Sequence, residues 1–180
     1  MQIKNNTNPA VKESLLDTVG RINGMKTLYE HMTKTSEYKG ISTKKYFLNL
    51  VDSTILLYSA SHNIKIKAEI DEFIIEGEKL FLMAIIVNEL VSNSIKYAFN
   101  NISNPEIFLK ITNHDNCISV SILDNGNGLP ENFDIKSSNG FGLRLVKMIC
   151  DSLNGSFTLK NSNDSEYSGI ISHIEFSITD

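Results

Sequence analysis

The alternation of apolar and polar positions divides the chain into nine elements. Apolar residues recur every three to four positions in four stretches, which predicts amphipathic helices over 11–33, 43–61, 78–99 and 143–153. Ser42 precedes the second of these as an N-cap candidate. A period of two predicts strands over 64–70, 107–112, 118–123, 156–160 and 170–178, with 73–75 as a candidate for a further short strand.

Paired strands follow one another here without a helix between them. Residues 113–116 join two of them in a tight turn, since Asn and Asp tolerate left-handed backbone geometry. This order predicts an α+β fold, a two-layer α/β sandwich with a mixed, mostly antiparallel sheet and helices on one face, preceded by a helical segment. It argues against a doubly wound parallel sheet.

Composition and charge exclude several classes of protein. Hydrophobic residues make up 41% of the 180 residues and charged residues 21%, values that are typical of a globular protein. The longest apolar run, Leu80 to Val87, is too short to predict a membrane-spanning helix, and the N-terminus lacks the apolar stretch of a secretory signal. A net charge of −4 argues against a dedicated nucleic-acid binder. We therefore expect a cytoplasmic location, without nucleic-acid or membrane contacts.

The helix over 78–99 carries one polar line on an otherwise apolar surface. At about 100° per residue, Glu89, Asn93 and Lys96 fall on one narrow stripe. A solvated face would explain this line equally well for an isolated helix. Asn88 and Asn93, however, are poor helix formers, and Glu, Lys or Gln would solubilise the face at lower cost. The line is therefore a candidate binding surface.

Two glycine-containing segments follow. Asp124-Asn125-Gly126-Asn127-Gly128 comes directly after a strand, where glycines allow close approach of a flat ligand and the carboxylate can accept a hydrogen bond from it. An ordinary turn is the alternative. Asn139-Gly140-Phe141-Gly142-Leu143 opens a helix, and its amide groups could bind phosphate. A helix-entry loop without a ligand is the alternative there.

Together and in this order, the three segments resemble the ATP-binding domain of the Bergerat-fold (GHKL) superfamily, which groups gyrase, Hsp90, histidine kinases and MutL. Residues 88–98 resemble its asparagine box, 124–128 its first glycine box and 140–143 its second. The Asn-Glu-Leu start of the asparagine box is similar to that of one subfamily of sensor histidine kinases. Val11 to Met25 resembles the second helix of that subfamily's dimerisation hairpin. The resemblance implies a partial dimerisation hairpin in 1–39 and an ATP-binding catalytic domain in 40–180.

The resemblance also implies roles for individual residues. Glu89, Asn93 and Lys96 would be catalytic, with Glu89 polarising the attacking group or orienting water, Asn93 binding Mg²⁺ and Lys96 contacting phosphate. Asp124 would accept a hydrogen bond from the adenine amino group, and residues 129–139 would form a mobile lid over ATP. The complete set of implied nucleotide-binding residues is Asn88, Asn93, Lys96, Asp124, Gly126, Gly128, Gly140, Phe141, Gly142 and Leu143.

Two departures from the subfamily's pattern concern the last strand and the phosphoacceptor. Gly169 is followed by Ile170 where the subfamily usually has threonine. We expect the acceptor histidine to lie upstream of residue 1, because 5–8 suits the hairpin turn. His31 is then a surface residue, whereas His62 and His114 fall in turns and His173 in a strand.

The function implied by the resemblance is that of a two-component sensor histidine kinase, with ATP and Mg²⁺ as cofactors. Its catalytic domain would transfer the γ-phosphate of ATP to that upstream histidine. The implied partners are a response regulator and, in the full-length kinase, a second copy of the chain. Two alternatives stay open: an anti-sigma-factor type protein serine kinase on the same fold, and a non-catalytic nucleotide-gated interaction module.

Overall fold

The computed structural model describes residues 42–58, 63–131, 133 and 141–178, together with the isolated positions 15, 18, 19 and 22. Eight elements lie within the continuous ranges. In chain order they are α1 (Thr43–Tyr58), β1 (Lys65–Ile70), α2 (Gly77–Tyr97), β2 (Glu106–His114), β3 (Cys117–Asp124), α3 (Phe141–Ser152), β4 (Ser156–Asn161) and β5 (Ile170–Ser177).

The five strands form one mixed sheet in the order β1-β2-β3-β5-β4. Strand β1 pairs with β2 in parallel, and the other three pairings are antiparallel. The β2–β3 hairpin closes through the expected turn, where Asp115 and Asn116 have φ values of 50° and 64°. The predicted α+β sandwich with a mostly antiparallel sheet is confirmed.

The three helices cover one face of the sheet, and the core lies between the two layers. Inward positions of β3 and β5 are buried, among them Ile118, Val120 and Ile174, whereas the residues between them are only half-buried or exposed. Helix α2 is the central helix, packing on α1 at one side and on α3 at the other. Any side chain on its sheet-facing side is consequently enclosed.

Helix boundaries agree with the sequence-based expectations to within a few residues, whereas the candidate short strand is absent. Ser42 caps α1, accepting a hydrogen bond at its Oγ from the N–H of Lys45 at 3.2 Å. Residues 73–75 form no strand; they lie in the connection from β1 to α2, with Phe73 N–H donating to the Thr43 hydroxyl at 3.3 Å. That bond joins the connection to α1 and not to a neighbouring strand.

Helix α2 is also long and apolar enough, by length and composition, to cross a membrane. In its most apolar window, however, 61% is buried inside the structure, as in the core helix of a folded domain. The predicted helix over 11–33, His31 and His62 lie outside the continuously described residues. The same is true of most of the predicted lid.

A buried hydrogen bond joins α1 to α2 at the start of the polar segment. The Thr54 hydroxyl donates to Asn88 Oδ1 at 2.9 Å, and Asn88 is 4% exposed. We expect Thr54→Val to lower the free energy of unfolding by about 1–3 kcal/mol, because it leaves that buried amide oxygen without its donor. Chemical denaturation measures the change.

The matched control is Thr158→Val, at an exposed position of β4, which should change stability by less than about 0.5 kcal/mol. If the Thr54→Val variant were as stable as the unsubstituted chain, this hydrogen bond would not stabilise the packing of α1 on α2.

Candidate functional site

A pocket of about 650 Å³ opens between α2, α3 and the ends of β4 and β5. Four of the residues expected from the sequence line it: Asn93, Gly128, Gly142 and Leu143. Its remaining wall is mostly apolar and includes Leu90, Tyr97, Ala98, Leu129, Pro130, Phe133, Leu159 and Ile170. A concave, largely apolar cavity with a few polar groups is typical of a small-molecule site.

Asp124 is buried beside this pocket, at the end of β3, with 1% of its surface exposed. Its Oδ1 accepts hydrogen bonds from the N–H groups of Gly126 and Ile170, each at 3.1 Å. Its Oδ2 accepts one from the hydroxyl of Ser94, a pocket-lining residue, at 2.9 Å. Because a carboxylate offers about four acceptor positions, one position on Oδ2 is left for a ligand.

Burial dominates the electrostatics of this carboxyl group. Desolvation raises the pKa of Asp124 above its usual range, and the hydrogen bonds from Ile170, Ser94 and Gly126 partly offset the rise. The three donors hold the ionised form in an apolar setting, where an unpaired charge would be costly. The arrangement favours a ligand that brings a further hydrogen-bond donor.

Two glycines allow the chain to close around Asp124. A Cβ atom at Gly169 would overlap Asp124 Oδ1, and one at Gly126 would lie 2.5 Å from the Cβ and carbonyl oxygen of Ala98. Gly126 thus permits the loop to pack against the end of α2. The Asn127 side chain also holds this loop, donating to the carbonyls of Ala98 and Asn100 at 3.1 and 2.9 Å.

The polar line on α2 is not a solvated face. Glu89 is 4% exposed, and Asn93 and Lys96 are half-buried. The first turn of α3 approaches this line closely: a Cβ at Gly142 would overlap Glu89 Oε2 and lie 4.0 Å from Asn93 Nδ2. The structure therefore brings Glu89 next to Gly142, which lines the pocket with Asn93, although Glu89 itself is not among the lining residues.

Other expected residues lie elsewhere. The Asn88 side chain bonds to Thr54 of α1, on the side of α2 away from the pocket lining. Phe141 is 61% exposed at the start of α3. Lys96 is on the polar line but is not among the pocket-lining residues, and Gly140 lies outside the described part of the chain.

Sequence reasoning assigned no role to several polar residues of the pocket, among them Ser94 and Ser172. Ser94 carries the hydroxyl that binds Asp124. Ser172 occupies an inward position of β5, in register with Leu159 of β4. The signal for Ser172 was present in the sequence: it is the polar member of the alternating series Ile170, Ser172, Ile174 and Phe176.

The donor set suits an adenine nucleotide with Mg²⁺. The remaining acceptor position on Asp124 Oδ2 matches an exocyclic amino group, and the apolar wall suits the faces of a base. Mg²⁺ needs oxygen ligands and usually combines few protein ligands with substrate phosphates. The Asn93 amide could supply one, whereas the described residues contain no group of three His, Cys, Asp or Glu side chains that could hold a metal.

Comparison with protein families gives two matches that together cover most of the chain. Residues 78–178 match the family described as histidine kinase-, DNA gyrase B-, and HSP90-like ATPase. Residues 1–58 match a second family, described as histidine kinase. The first match contains β2 to β5, α3 and nearly all of α2, and thus every element that lines the pocket.

Curated relatives are similar over a limited part of their length. The chain is 19% identical over 166 residues to the sensor histidine kinase PdtaS of Mycobacterium tuberculosis, a match that covers 91% of this chain and 33% of that protein. For PdtaS of Mycolicibacterium smegmatis the identity is 22% over 163 residues, covering 87% and 32%. The chain thus spans about a third of the length of these relatives.

Solved structures show the same fold. The histidine kinase domain of the Erythrobacter litoralis blue-light activated histidine kinase EL346 superposes with a TM-score of 0.79 at 18% identity, covering 91% of this chain and 75% of that one. The Acinetobacter baumannii histidine kinase AdeS gives a TM-score of 0.61 at 16% identity, covering 97% and 87%. At these identities the likeness concerns the fold.

Proposed function

The chain belongs to the family of histidine kinase-, DNA gyrase B-, and HSP90-like ATPases, and from this premise we propose that residues 40–180 are the ATP-binding catalytic domain of a two-component sensor histidine kinase. The domain would transfer the γ-phosphate of ATP to a histidine. The observation that carries the proposal is the buried Asp124, with one acceptor position left beside an apolar pocket. The match of residues 1–58 to a histidine kinase family favours histidine over serine as the acceptor.

In the proposed reaction an imidazole nitrogen of the acceptor histidine forms a bond to the γ-phosphorus. The bond from that phosphorus to the bridging oxygen breaks, and ADP leaves. Asp124 would bind the adenine amino group, while Glu89 would polarise the attacking imidazole by accepting a hydrogen bond from it. Bound Mg²⁺ would neutralise phosphate charge, with Asn93 as a proposed ligand and Lys96 as a phosphate contact. Most of the catalysis would come from positioning and charge.

Location and partners follow from the same proposal. We propose that the domain acts in the cytoplasm, where ATP is available. Its protein partners would be a response regulator, which receives the phosphate from histidine, and a second copy of the chain in the full-length kinase. Residues 1–39 would contribute part of the dimerisation hairpin.

Transfer to a separately supplied, histidine-containing dimerisation hairpin of the same family tests the proposal. With γ-labelled ATP and Mg²⁺, we expect label on the hairpin that is released by acid and retained in alkali, as a phosphoramidate is. A variant hairpin with its histidine replaced should stay unlabelled. Acid-stable label on serine would favour the serine-kinase alternative, and ATP binding without transfer would favour the non-catalytic module.

A further inference from the structure

Ser172 is a buried serine on the sheet wall of the pocket. It is 5% exposed, and it lines the pocket together with Ile170 and Leu159. The neighbouring inward positions of β5, Ile174 and Phe176, are buried apolar residues. A hydroxyl in such a place is costly unless it is hydrogen-bonded.

Within the residues that the structure describes, no group hydrogen-bonds to the Ser172 side chain. Two other serines are paired: the Ser94 hydroxyl, in the pocket, donates to Asp124 at 2.9 Å, and the Ser121 hydroxyl, on the opposite face of the sheet, lies 2.9 Å from His173 Nδ1. The Ser172 hydroxyl can rotate freely and can donate one hydrogen bond. A polar group that is buried, open to the pocket and without a protein partner points to a ligand.

We propose that Ser172 determines base specificity, by donating a hydrogen bond to an adenine ring nitrogen next to the exocyclic amino group. This inference rests on the proposed function, in which the pocket binds ATP. Asp124 and Ser172 lie on the inward side of neighbouring strands β3 and β5, where Leu123 pairs with Ile171 and Ile122 with Ser172. A planar base on this wall can reach both residues.

The two groups match the pattern of adenine. Adenine carries an amino donor beside ring-nitrogen acceptors, N7 on its major-groove edge and N1 on its pairing edge. The Asp124 carboxylate accepts from the amino group, and the Ser172 hydroxyl donates to the ring nitrogen. Guanine has a carbonyl oxygen in place of the amino group and would face the carboxylate with an acceptor, so the pair discriminates against it.

The inference is tested by comparing how the unsubstituted chain and a Ser172 variant bind ATP and two ATP analogues. Calorimetry would compare the unsubstituted chain with Ser172→Ala, each titrated with ATP, 1-deaza-ATP and 7-deaza-ATP. We expect Ser172→Ala to bind ATP about 3- to 10-fold more weakly. One of the two analogues lacks the ring nitrogen that Ser172 contacts, and the unsubstituted chain and Ser172→Ala should bind that analogue equally well. That analogue identifies which edge of the base is recognised.

Ser119→Ala, on the opposite face of the sheet in β3, is the matched control and should bind all three nucleotides as the unsubstituted chain does. Ser172→Cys keeps the size of the side chain with a much weaker donor, so it should reproduce the loss even if the alanine variant folds poorly. An equal loss for all three nucleotides, or no loss for ATP, would overturn the role of Ser172 and leave ATP binding intact. Absence of ATP binding by the unsubstituted chain would overturn the proposed function as well.

Discussion

Replacing Asp124 with asparagine is expected to weaken ATP binding by about 1–3 kcal/mol, or roughly 5- to 150-fold. Asparagine can keep its Oδ1 on the N–H groups of Gly126 and Ile170, which now hold the carboxylate at 3.1 Å. Its NH₂ group then replaces Oδ2 on the side of Ser94 and the pocket. The adenine amino group would meet a donor instead of an acceptor. Calorimetric titration with Mg-ATP measures the loss.

Because asparagine preserves the backbone contacts, this variant separates binding from folding. Its thermal midpoint should stay close to that of the unsubstituted chain, whereas Asp124→Ala should lower both stability and affinity. Asp151→Asn, on the exposed side of α3, is the matched control and should leave ATP affinity unchanged. Tight ATP binding by the Asp124→Asn variant would contradict the assignment of Asp124 to the adenine amino group.

The pH dependence of binding gives a second measurement on the same pair of variants. Burial raises the pKa of Asp124, and protonation would convert the acceptor that faces the base into a hydroxyl donor. The affinity for ATP is therefore retained at pH values above the raised pKa of Asp124, and it is lost as the pH falls through that pKa. The Asp124→Asn variant has no carboxyl group to titrate at this position, so its weaker affinity should not show this acid loss. The Asp151→Asn control keeps the Asp124 carboxyl group, so its ATP affinity should fall at acid pH as that of the unsubstituted chain does.

The fold and the segments that surround the site could be predicted from the sequence, because both depend on local patterns. Strand alternation and helical periodicity are properties of short segments, and they placed the eight described elements to within a few residues. The polar line on α2 was visible because Asn is unfavourable inside a helix. Glu89 is buried and Asn93 is half-buried, so this line is not a solvated face.

The direction in which a side chain points was harder to predict, because it depends on tertiary contacts. Asn88 and Glu89 are adjacent in sequence, yet Asn88 bonds to Thr54 of α1 while Glu89 lies against Gly142 of α3. The helix turns by about 100° per residue and so directs the two side chains to different sides, and the packing of α2 between α1 and α3 decides which helix each side chain meets. The place of Ser172 in the pocket was not predicted for a related reason. A serine in a strand is ordinary, and only the neighbouring strands show that its position faces a cavity.

Replacing Glu89 with glutamine is expected to keep ATP affinity and to slow transfer to a histidine-containing hairpin by about 10²- to 10⁴-fold, the range for loss of a positioned general base. Glutamine has nearly the same size, so the buried position next to Gly142 is preserved while the negative charge is removed. Single-turnover transfer with labelled ATP measures the rate, and calorimetry measures the affinity. Glu78→Gln, at an exposed position in the first turn of α2, is the matched control.

Gly142→Ala perturbs the same carboxylate from the opposite side. Its Cβ would overlap Glu89 Oε2 but lie 4.0 Å from Asn93 Nδ2, so the flexible end of Glu89 must move while Asn93 keeps its place. Because a glutamate side chain can rotate, we expect the variant to fold and bind ATP but to transfer phosphate slowly, as Glu89→Gln does. If both variants transferred at the rate of the Glu78→Gln control, Glu89 would have no part in the chemistry. The buried carboxylate would then serve only to hold the first turn of α3 against α2.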